Sequence, residues 1–245
     1  MSRARFFSAE LDGEVIELVG EEACHLAKVR RVRIGKEVEL FDGKGQGVRG
    51  QVRSIDKQAV RIEVRERFEK EPAGTEIIVA AALAKGPRWD WLIEKCVELG
   101  AAKIWPVRFE RSVVKGSGSD EQLNKWNRRG LEAAKQCGQA YLPEITQPRG
   151  LEEVLHETND NCLRLVGTRN ESANPVLTVL EKTDQPRIIV LLVGPEGGLS
   201  EDEQKHTEQC GYEPVFLGEN ILRVETATIG LLAAVRAWLD KENQE

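Results

Sequence analysis

The segment LLVGPEGGLSEDE, residues 191–203, joins an apolar run to a glycine-rich turn and then to a helix start. Ser200 and Glu203 have the spacing of a capping box, and Glu201 and Asp202 would fill the first helical turn. A strand, a glycine loop and a helix in this order often cradle a phosphate. Here the acids would repel one, so we expect a neutral or cationic ligand; a tight turn without any ligand is the alternative.

Two further apolar runs end at a glycine in the same way. They are CLRLVG, residues 162–167, and PVFLG, residues 214–218. Helical segments separate these runs, which predicts an α/β fold with a mostly parallel sheet. Because ligands bind outside the carboxyl ends of parallel strands, we expect the three glycine-ended loops to form one site.

The first seventy residues have a different pattern. AVRIEVRERF, residues 59–68, alternates apolar and charged residues, and residues 37–55 give two more such runs around Asp42 and Gly43. The pattern predicts half-buried strands joined by a hairpin. We therefore expect two domains, a small antiparallel barrel over residues 1–72 and the α/β domain over residues 73–245, with EPAG at residues 71–74 as the linker.

The composition is that of an ordinary globular chain, with 40% hydrophobic and 31% charged residues. No apolar run is long enough for a membrane helix, and the first residues lack an apolar signal core, so we expect a cytoplasmic protein. The five cysteines and three histidines are scattered, which favours reduced thiols and no metal site.

The net charge of the whole chain is −6, which by itself argues against a nucleic-acid partner, but the charge is unevenly distributed along the sequence. The first seventy residues carry a small positive excess, and Lys28, Arg30, Arg31 and Arg33 form a tight basic cluster. Such a cluster is compatible with phosphate binding or with a merely solvated face.

The loop LGENILRVETA, residues 217–227, places Ile221 and Leu222 where a loop would normally be polar. Arg223 and Glu225 follow them. One interpretation is a loop folded over the core, with Glu225 capping the last helix. The other is an apolar cradle for an adenine, with a cation and a carboxylate beside it.

Taken together, LLVGPEGGLSEDE and LGENILRVETATIGLLAA resemble the RsmE family of ribosomal RNA uridine methyltransferases, within the SPOUT superfamily. The segments at residues 25–47, 85–112 and 132–145 agree with it, so the resemblance spans nearly the whole chain. It implies a PUA-like β-barrel followed by a SPOUT-type α/β domain with a deep trefoil knot. It also implies a homodimer that binds S-adenosylmethionine and methylates N3 of one uridine in 16S RNA of the small ribosomal subunit.

The resemblance also implies which residues form the sites. The expected cofactor residues are Val166, Gly167, Thr168, Gly194, Glu196, Gly197, Gly198, Leu217, Gly218, Ile221, Leu222, Arg223 and Thr226. The expected RNA-binding residues are Arg3, Arg5, Lys28, Arg30, Arg31, Arg33, Lys85, Arg88 and Arg111.

For the chemistry we expect Arg223 to stabilise the charge that develops on the uracil ring, with Glu225 orienting it or helping to remove the N3 proton. The chain departs from the family pattern at Gln139, where arginine is common, and at Glu219 and Asn220, where Pro-Arg is common.

Three other functions are compatible with parts of the sequence. A non-catalytic RNA-binding assembly factor would keep the fold without cofactor binding. A dinucleotide-dependent oxidoreductase needs the G-x-G-x-x-G fingerprint, which GPEGGL does not match. A related methyltransferase could act on transfer RNA or on another uridine position.

Overall fold

The computed structural model describes residues 3–114, 118–157 and 161–242. Contacts within the chain define two compact units. The first comprises Met1–Pro72 and Leu131–Leu142, and the second comprises Ala73–Gly130 and Pro143–Glu245. The first unit therefore takes in a short segment that is distant in sequence from its strands.

The first unit is a curled five-stranded sheet in the order β1-β3-β4-β5-β2. Its elements are β1 Ala4–Phe7, β2 Val15–Val19, helix α1 Gly20–Cys24, a π-helical turn His25–Val29, β3 Glu37–Phe41, β4 Gln46–Ile55 and β5 Ala59–Glu69. The pairs among β2 to β5 are antiparallel, as expected, whereas β1 pairs with β3 in parallel. The parallel pair arises because β2 and α1 intervene between β1 and β3, which provides the long connection that parallel strands need.

The period-two pattern of the sequence explains which face of this sheet is buried. Along β2 the residues alternate between exposed and buried, with Ile16 and Leu18 inward. They join one apolar core with Phe6, Leu26 and Leu40.

A buried lysine lies at the centre of an ionic cluster in the first unit. Lys135 is only 8% exposed, and its ammonium nitrogen is 2.7 Å from Glu22 Oε1 and 2.9 Å from Glu132 Oε1. His25 Nδ1 lies 3.0 Å from the same nitrogen. The two carboxylates and the imidazole therefore all face one positive charge, which stabilises their close approach.

The second unit contains an eight-stranded sheet flanked by helices. Its strands are β6 Glu76–Ala82, β7 Lys103–Arg108, β8 Glu144–Ile145, β9 Arg149–Gly150, β10 Cys162–Gly167, β11 Asn174–Pro175, β12 Ile188–Val193 and β13 Glu213–Phe216. Its helices are α2 Pro87–Glu98, α3 Asp120–Cys137, α4 Leu151–Leu155, α5 Val176–Leu180, α6 Glu201–Gln209 and α7 Val224–Glu242; the last part of α3 belongs to the first unit.

The main sheet runs in the order β11-β13-β10-β12-β6-β7-β8, and β9 also pairs with β7. Every pair in it is parallel, which confirms the predicted parallel α/β fold. The three strands that end at glycines, β13, β10 and β12, are direct neighbours. Their carboxyl ends therefore meet at one edge of the sheet. The threading of the chain into a knot stays a prediction.

Helix α7 covers the sheet below this edge. It packs against β6, β10 and β12 and against α2 and α5. Its buried residues Leu232 and Val235 are fully enclosed. Among the helices that the structure describes, none is long and apolar enough to cross a bilayer.

Candidate functional site

A cavity of about 290 Å³ lies at the carboxyl ends of β10, β12 and β13. All three glycine-ended loops contribute to it, as the sequence predicts. Its volume is near the lower end of the roughly 300–1,000 Å³ usual for small-molecule sites. We call it the glycine-loop cavity.

The backbone conformation favours glycine at two positions in the loops that line the glycine-loop cavity, and a third glycine packs closely against a neighbour. Gly198 and Gly218 have φ values of 69° and 68°, in the left-handed region that side chains disfavour. At Gly194 a Cβ would lie 2.4 Å from Leu199 Cδ1, so the Leu199 side chain, which also lines the cavity, would have to move. These glycines therefore let the backbone itself form the surface of the cavity.

The loop after β12 is held by contacts in its second half and at the start of α6. Ser200 and Glu203 form the predicted capping box, and the second carboxylate oxygen of Glu203 accepts a 2.7 Å hydrogen bond from Glu110 N. Arg111 donates to the carbonyl oxygens of Gly197 and Leu199 at 3.1 and 3.2 Å. Arg111, expected from the sequence to contact RNA, thus holds the loop in the described structure.

The opposite wall is apolar and open to solvent. Ile221 is 89% exposed and Leu217 is 37% exposed. Contact of these apolar side chains with water is unfavourable. Leu222 lies beside them. A ligand with a flat apolar face, packed against this wall, would remove that surface from water.

The cavity includes most of the residues expected to bind a cofactor. These are Gly167, Thr168, Gly194, Glu196, Gly197, Gly198, Leu217, Ile221 and Leu222. Val166 is buried and lines a smaller cavity, which shares Thr168 with the glycine-loop cavity. Gly218 lies between lining residues, and its carbonyl oxygen accepts a 2.8 Å hydrogen bond from Arg169.

Sequence reasoning missed several residues of the lining. They are Arg169, Val193, Pro195, Leu199, Phe216, Asn220, Val224 and Ala227. Each lies within or next to one of the three loops, so proximity to the glycines was the available signal. Asn220 is one of the positions that depart from the family pattern.

Arg223, Glu225 and Thr226 line a second, more open cavity of about 630 Å³ at the start of α7. The two cavities share Ile221 and Leu222, so they are adjacent. Glu225 is buried, and its Oε1 lies 3.8 Å from Nε of Arg88. The residues expected to do chemistry are therefore next to the glycine-loop cavity.

The predicted RNA-binding residues of the first unit fall into two groups. Lys28, Arg30, Arg31 and Arg33 are all exposed around the end of the π-helical turn. Arg31 has a φ of 51°, which is uncommon for a residue with a side chain. A segment with four exposed cations suits contacts to phosphate oxygens.

Arg5 differs from this expectation because it is buried. Its Nε lies 3.0 Å from Glu39 Oε1, and its Nη1 donates to the carbonyl oxygens of Ala134 and Gln139 at 2.9 and 2.6 Å. The guanidinium also lies 3.9 Å from the centre of the Phe41 ring. An arginine with these partners stabilises the fold, and its charge does not reach the surface.

The other predicted RNA-binding residues are exposed. Arg3 is paired with Glu37 at 2.8 Å, and Arg88 with Glu225 as described above. Lys85 is exposed just before α2. The Arg3–Glu37 pair lies at the surface and is therefore weak, so Arg3 can exchange Glu37 for a phosphate.

Comparison with known proteins gives the class to which this fold and site belong. Residues 70–236 match the family model of an RNA methyltransferase domain, and residues 18–65 match that of an RNA methyltransferase PUA domain. The two matches define an RNA methyltransferase with an accompanying PUA domain. More particularly, the chain belongs to the ribosomal RNA small subunit methyltransferase E family.

The relatives agree over nearly the full chain. The enzyme of that name from Mycobacterium bovis is 30% identical, covering 91% of this chain and 86% of its own. A structure of the Neisseria gonorrhoeae enzyme bound to S-adenosylmethionine is 28% identical with a TM-score of 0.86. The match covers 96% of this chain and 98% of that one. A Legionella pneumophila methyltransferase structure with the same bound cofactor is 29% identical with a TM-score of 0.86, covering 97% and 98%.

Proposed function

We propose that this protein transfers the methyl group of S-adenosylmethionine to N3 of one uridine in the 16S RNA of the small ribosomal subunit. The observation that carries the proposal is the glycine-loop cavity, built by three adjacent strand ends in a chain of this family. Relatives with this fold have been crystallised with S-adenosylmethionine.

The residues of the cavity fit that cofactor. Leu217, Ile221 and Leu222 offer an apolar wall of the kind an adenine ring requires, and the glycine backbone admits a ligand at close range. Glu196 is a lining carboxylate that suits a cationic sulfonium. When bound, S-adenosylmethionine supplies an activated methyl group.

The protein then has to align the acceptor nitrogen with that methyl group. Alignment alone can lower the barrier by about 7–11 kcal/mol. N3 lies on the pairing edge of uracil, so the base must be unpaired or flipped out. Arg223, exposed beside the cavity, stabilises the negative charge that develops on the ring.

The partners follow from the same proposal. The exposed cations Lys28, Arg30, Arg31 and Arg33 bind RNA phosphates, which positions the RNA without reading its sequence. We further propose a homodimer that needs no metal ion and acts in the cytoplasm, where ribosomal subunits are assembled.

Mass spectrometry of small-subunit RNA tests the reaction. Deleting the gene should remove a single N3-methyluridine, and the purified protein with S-adenosylmethionine should restore it on subunits from the deletion strain. An unchanged modification pattern, with no cofactor binding in calorimetry, would instead identify a non-catalytic RNA-binding assembly factor. A change at another position would identify a different target.

The variant Arg223→Ala tests the catalytic cation. We expect turnover to fall about 100- to 1,000-fold, as for loss of one charge-stabilising donor, while the cofactor dissociation constant stays within a few-fold. Arg187→Ala is the matched control, because Arg187 is exposed and precedes β12 at the opposite edge of the sheet. Equal turnover of the two variants would exclude the role of Arg223.

A further inference from the structure

The open cavity beside the glycine-loop cavity is lined by Arg88, Trp91 and Glu225 as well as by the proposed catalytic Arg223. It lies between the start of α2 and the segment that leads into α7. We call it the α2–α7 cleft. Arg88 and Trp91 line it from α2, and Arg223 and Glu225 line it from the other side.

Glu225, which lines this cleft, has an unsatisfied acceptor. Its side chain is 8% exposed, and Oε1 lies 3.8 Å from Arg88 Nε. Among the residues that the structure describes, Oε2 has no hydrogen-bond partner although it is buried. Leaving a buried carboxylate oxygen unpaired is unfavourable, so a ligand N–H group that enters the cleft would be held strongly.

Trp91 supplies an aromatic face. It is 44% exposed, whereas Trp89, Trp105, Trp126 and Trp238 are each 6% exposed or less. It follows Arg88 by three residues, so both side chains lie on one face of α2. An exposed indole that lines a cavity is suited to stack on a nucleobase.

We infer that the α2–α7 cleft is the subsite for the flipped uracil, with Trp91 stacking on the ring and the Glu225 carboxylate accepting the N3–H hydrogen bond. The pairing edge of uracil presents an N–H between two carbonyl oxygens, and the guanidinium groups of Arg88 and Arg223 donate to those oxygens. This inference rests on the proposed function, and it names the residues that select the base.

The same geometry places N3 for reaction. Ile221 and Leu222 line both cavities, so a base in the cleft lies next to the cofactor site. The N3–H bond breaks as the proton passes to the Glu225 carboxylate, which leaves an electron pair on N3. That pair then forms the bond to the methyl carbon, while the carbon–sulfur bond breaks and its electron pair stays on sulfur.

The cleft explains selection against cytosine as well. Cytosine N3 carries a lone pair and no hydrogen, so it would face the carboxylate oxygen with two acceptors opposed. Uracil and cytosine differ little in size. Cytosine also carries an amino group where uracil has one of its carbonyl oxygens, so one arginine donor would face another donor. The discrimination therefore comes from Glu225 and that arginine, and not from the shape of the cleft.

Two substitutions at Trp91 separate stacking from simple packing. We expect Trp91→Leu to raise the KM for small-subunit RNA about 10-fold, while Trp91→Phe stays within about 2- to 3-fold of the native protein, because only phenylalanine keeps an aromatic face. The cofactor dissociation constant should not change. Native KM in Trp91→Leu would overturn the inference, as would conversion of a dimer to a monomer in sedimentation, since Trp91 would then lie in a protein interface.

Glu225→Gln tests the carboxylate, with thermal unfolding as the check that the variant is folded. If Glu225 takes the proton, the turnover of the variant should rise about tenfold per pH unit around neutrality, because the proton must leave N3 to solvent. The native profile should be flatter. Parallel pH profiles for the two proteins would contradict the inference.

Binding of RNA without turnover distinguishes this inference from the proposed function. Single-stranded pentanucleotides that differ only in a central uridine or cytidine are titrated into the native protein with S-adenosylhomocysteine present. We expect the uridine oligonucleotide to bind at least about 3-fold more tightly, and Glu225→Gln to reduce that difference. Equal binding by the native protein overturns the base subsite even if methylation occurs. A preference without any methylation overturns only the proposed reaction.

Discussion

Arg5 illustrates how a charged residue near the start of the chain can serve the core. Burial lowers the pKa of its guanidinium, and Glu39 raises it in the opposite direction. The sequence shows Arg3 and Arg5 as equivalent cations two residues apart. They differ only in what the fold places beside them, which neither composition nor local spacing can reveal.

This pair makes a direct test of buried against exposed charge. Within the described part of the chain, Arg5→Ala leaves Glu39 with only Arg49, 3.9 Å away, and leaves the Gln139 carbonyl oxygen without this donor, so we expect the first unit to lose about 1–3 kcal/mol of stability. Arg3→Ala removes a surface pair and should cost less than about 1 kcal/mol.

Hydrogen exchange of the β3 and β4 amides is the suitable measurement, because all five tryptophans belong to the second unit and their fluorescence does not report on this sheet. Similar protection in the Arg3 and Arg5 variants would contradict a structural role for Arg5.

Individual elements show where sequence reasoning was sufficient. The periodic patterns located β5 and the strands β10 and β12. The capping box at Ser200 was also readable. The second bond of Glu203, to Glu110 N, joins elements distant in sequence and had no local signal.

The cap of α6 therefore supports a prediction for the glycine loop. Glu203→Ala removes acceptors for the backbone N–H groups of Ser200 and Glu110, and we expect a loss of about 1–2 kcal/mol in the second unit. The loop that follows β12 should also bind S-adenosylmethionine several-fold more weakly.

Glu201→Ala is the control, because exposed Glu201 contributes mainly through the helix dipole, worth about 0.3–1 kcal/mol. Urea unfolding followed by tryptophan fluorescence gives the stability, and calorimetry gives the affinity. Equal effects of the two substitutions would show that the bond to Glu110 is without consequence.

At the scale of the whole molecule, the alternation of strands and helices was enough to predict the parallel sheet and the meeting of three glycine ends. The strand order was not predictable, because it depends on pairings between segments far apart in the chain. For the same reason the sequence did not show that Leu131–Leu142 joins the first unit, or that Arg88 faces Glu225.

Because Leu131–Leu142 belongs to the first unit, we expect this segment to stabilise an isolated fragment of that unit. This segment supplies acceptors for Arg5, accepts a hydrogen bond from Lys70 at Gly138, and donates one from Tyr141 to the Lys70 carbonyl. A fragment of residues 1–72 should therefore have a much lower melting temperature than the same fragment joined to residues 131–142 by a glycine–serine linker. Circular dichroism measures both.

A fragment joined to a scrambled copy of residues 131–142 controls for the added length. If the scrambled and native segments stabilise the fragment equally, the hydrogen bonds at Arg5, Lys70 and Tyr141 do not account for the assignment of this segment to the first unit.

The ammonium group of the Lys135 side chain is the counter-ion of Glu22 and Glu132. Ligand atoms of Glu22, His25 and Glu132 lie within 4.8 Å of one another around it, a spacing that a divalent cation could bridge. Lys135→Ala should therefore lower stability and create a zinc site, since carboxylate oxygen and imidazole nitrogen are ordinary zinc ligands. Zinc should raise the melting temperature of this variant and leave that of the native protein unchanged. In the native protein, the Lys135 ammonium supplies the positive charge among Glu22, His25 and Glu132 that a metal ion would supply in the variant.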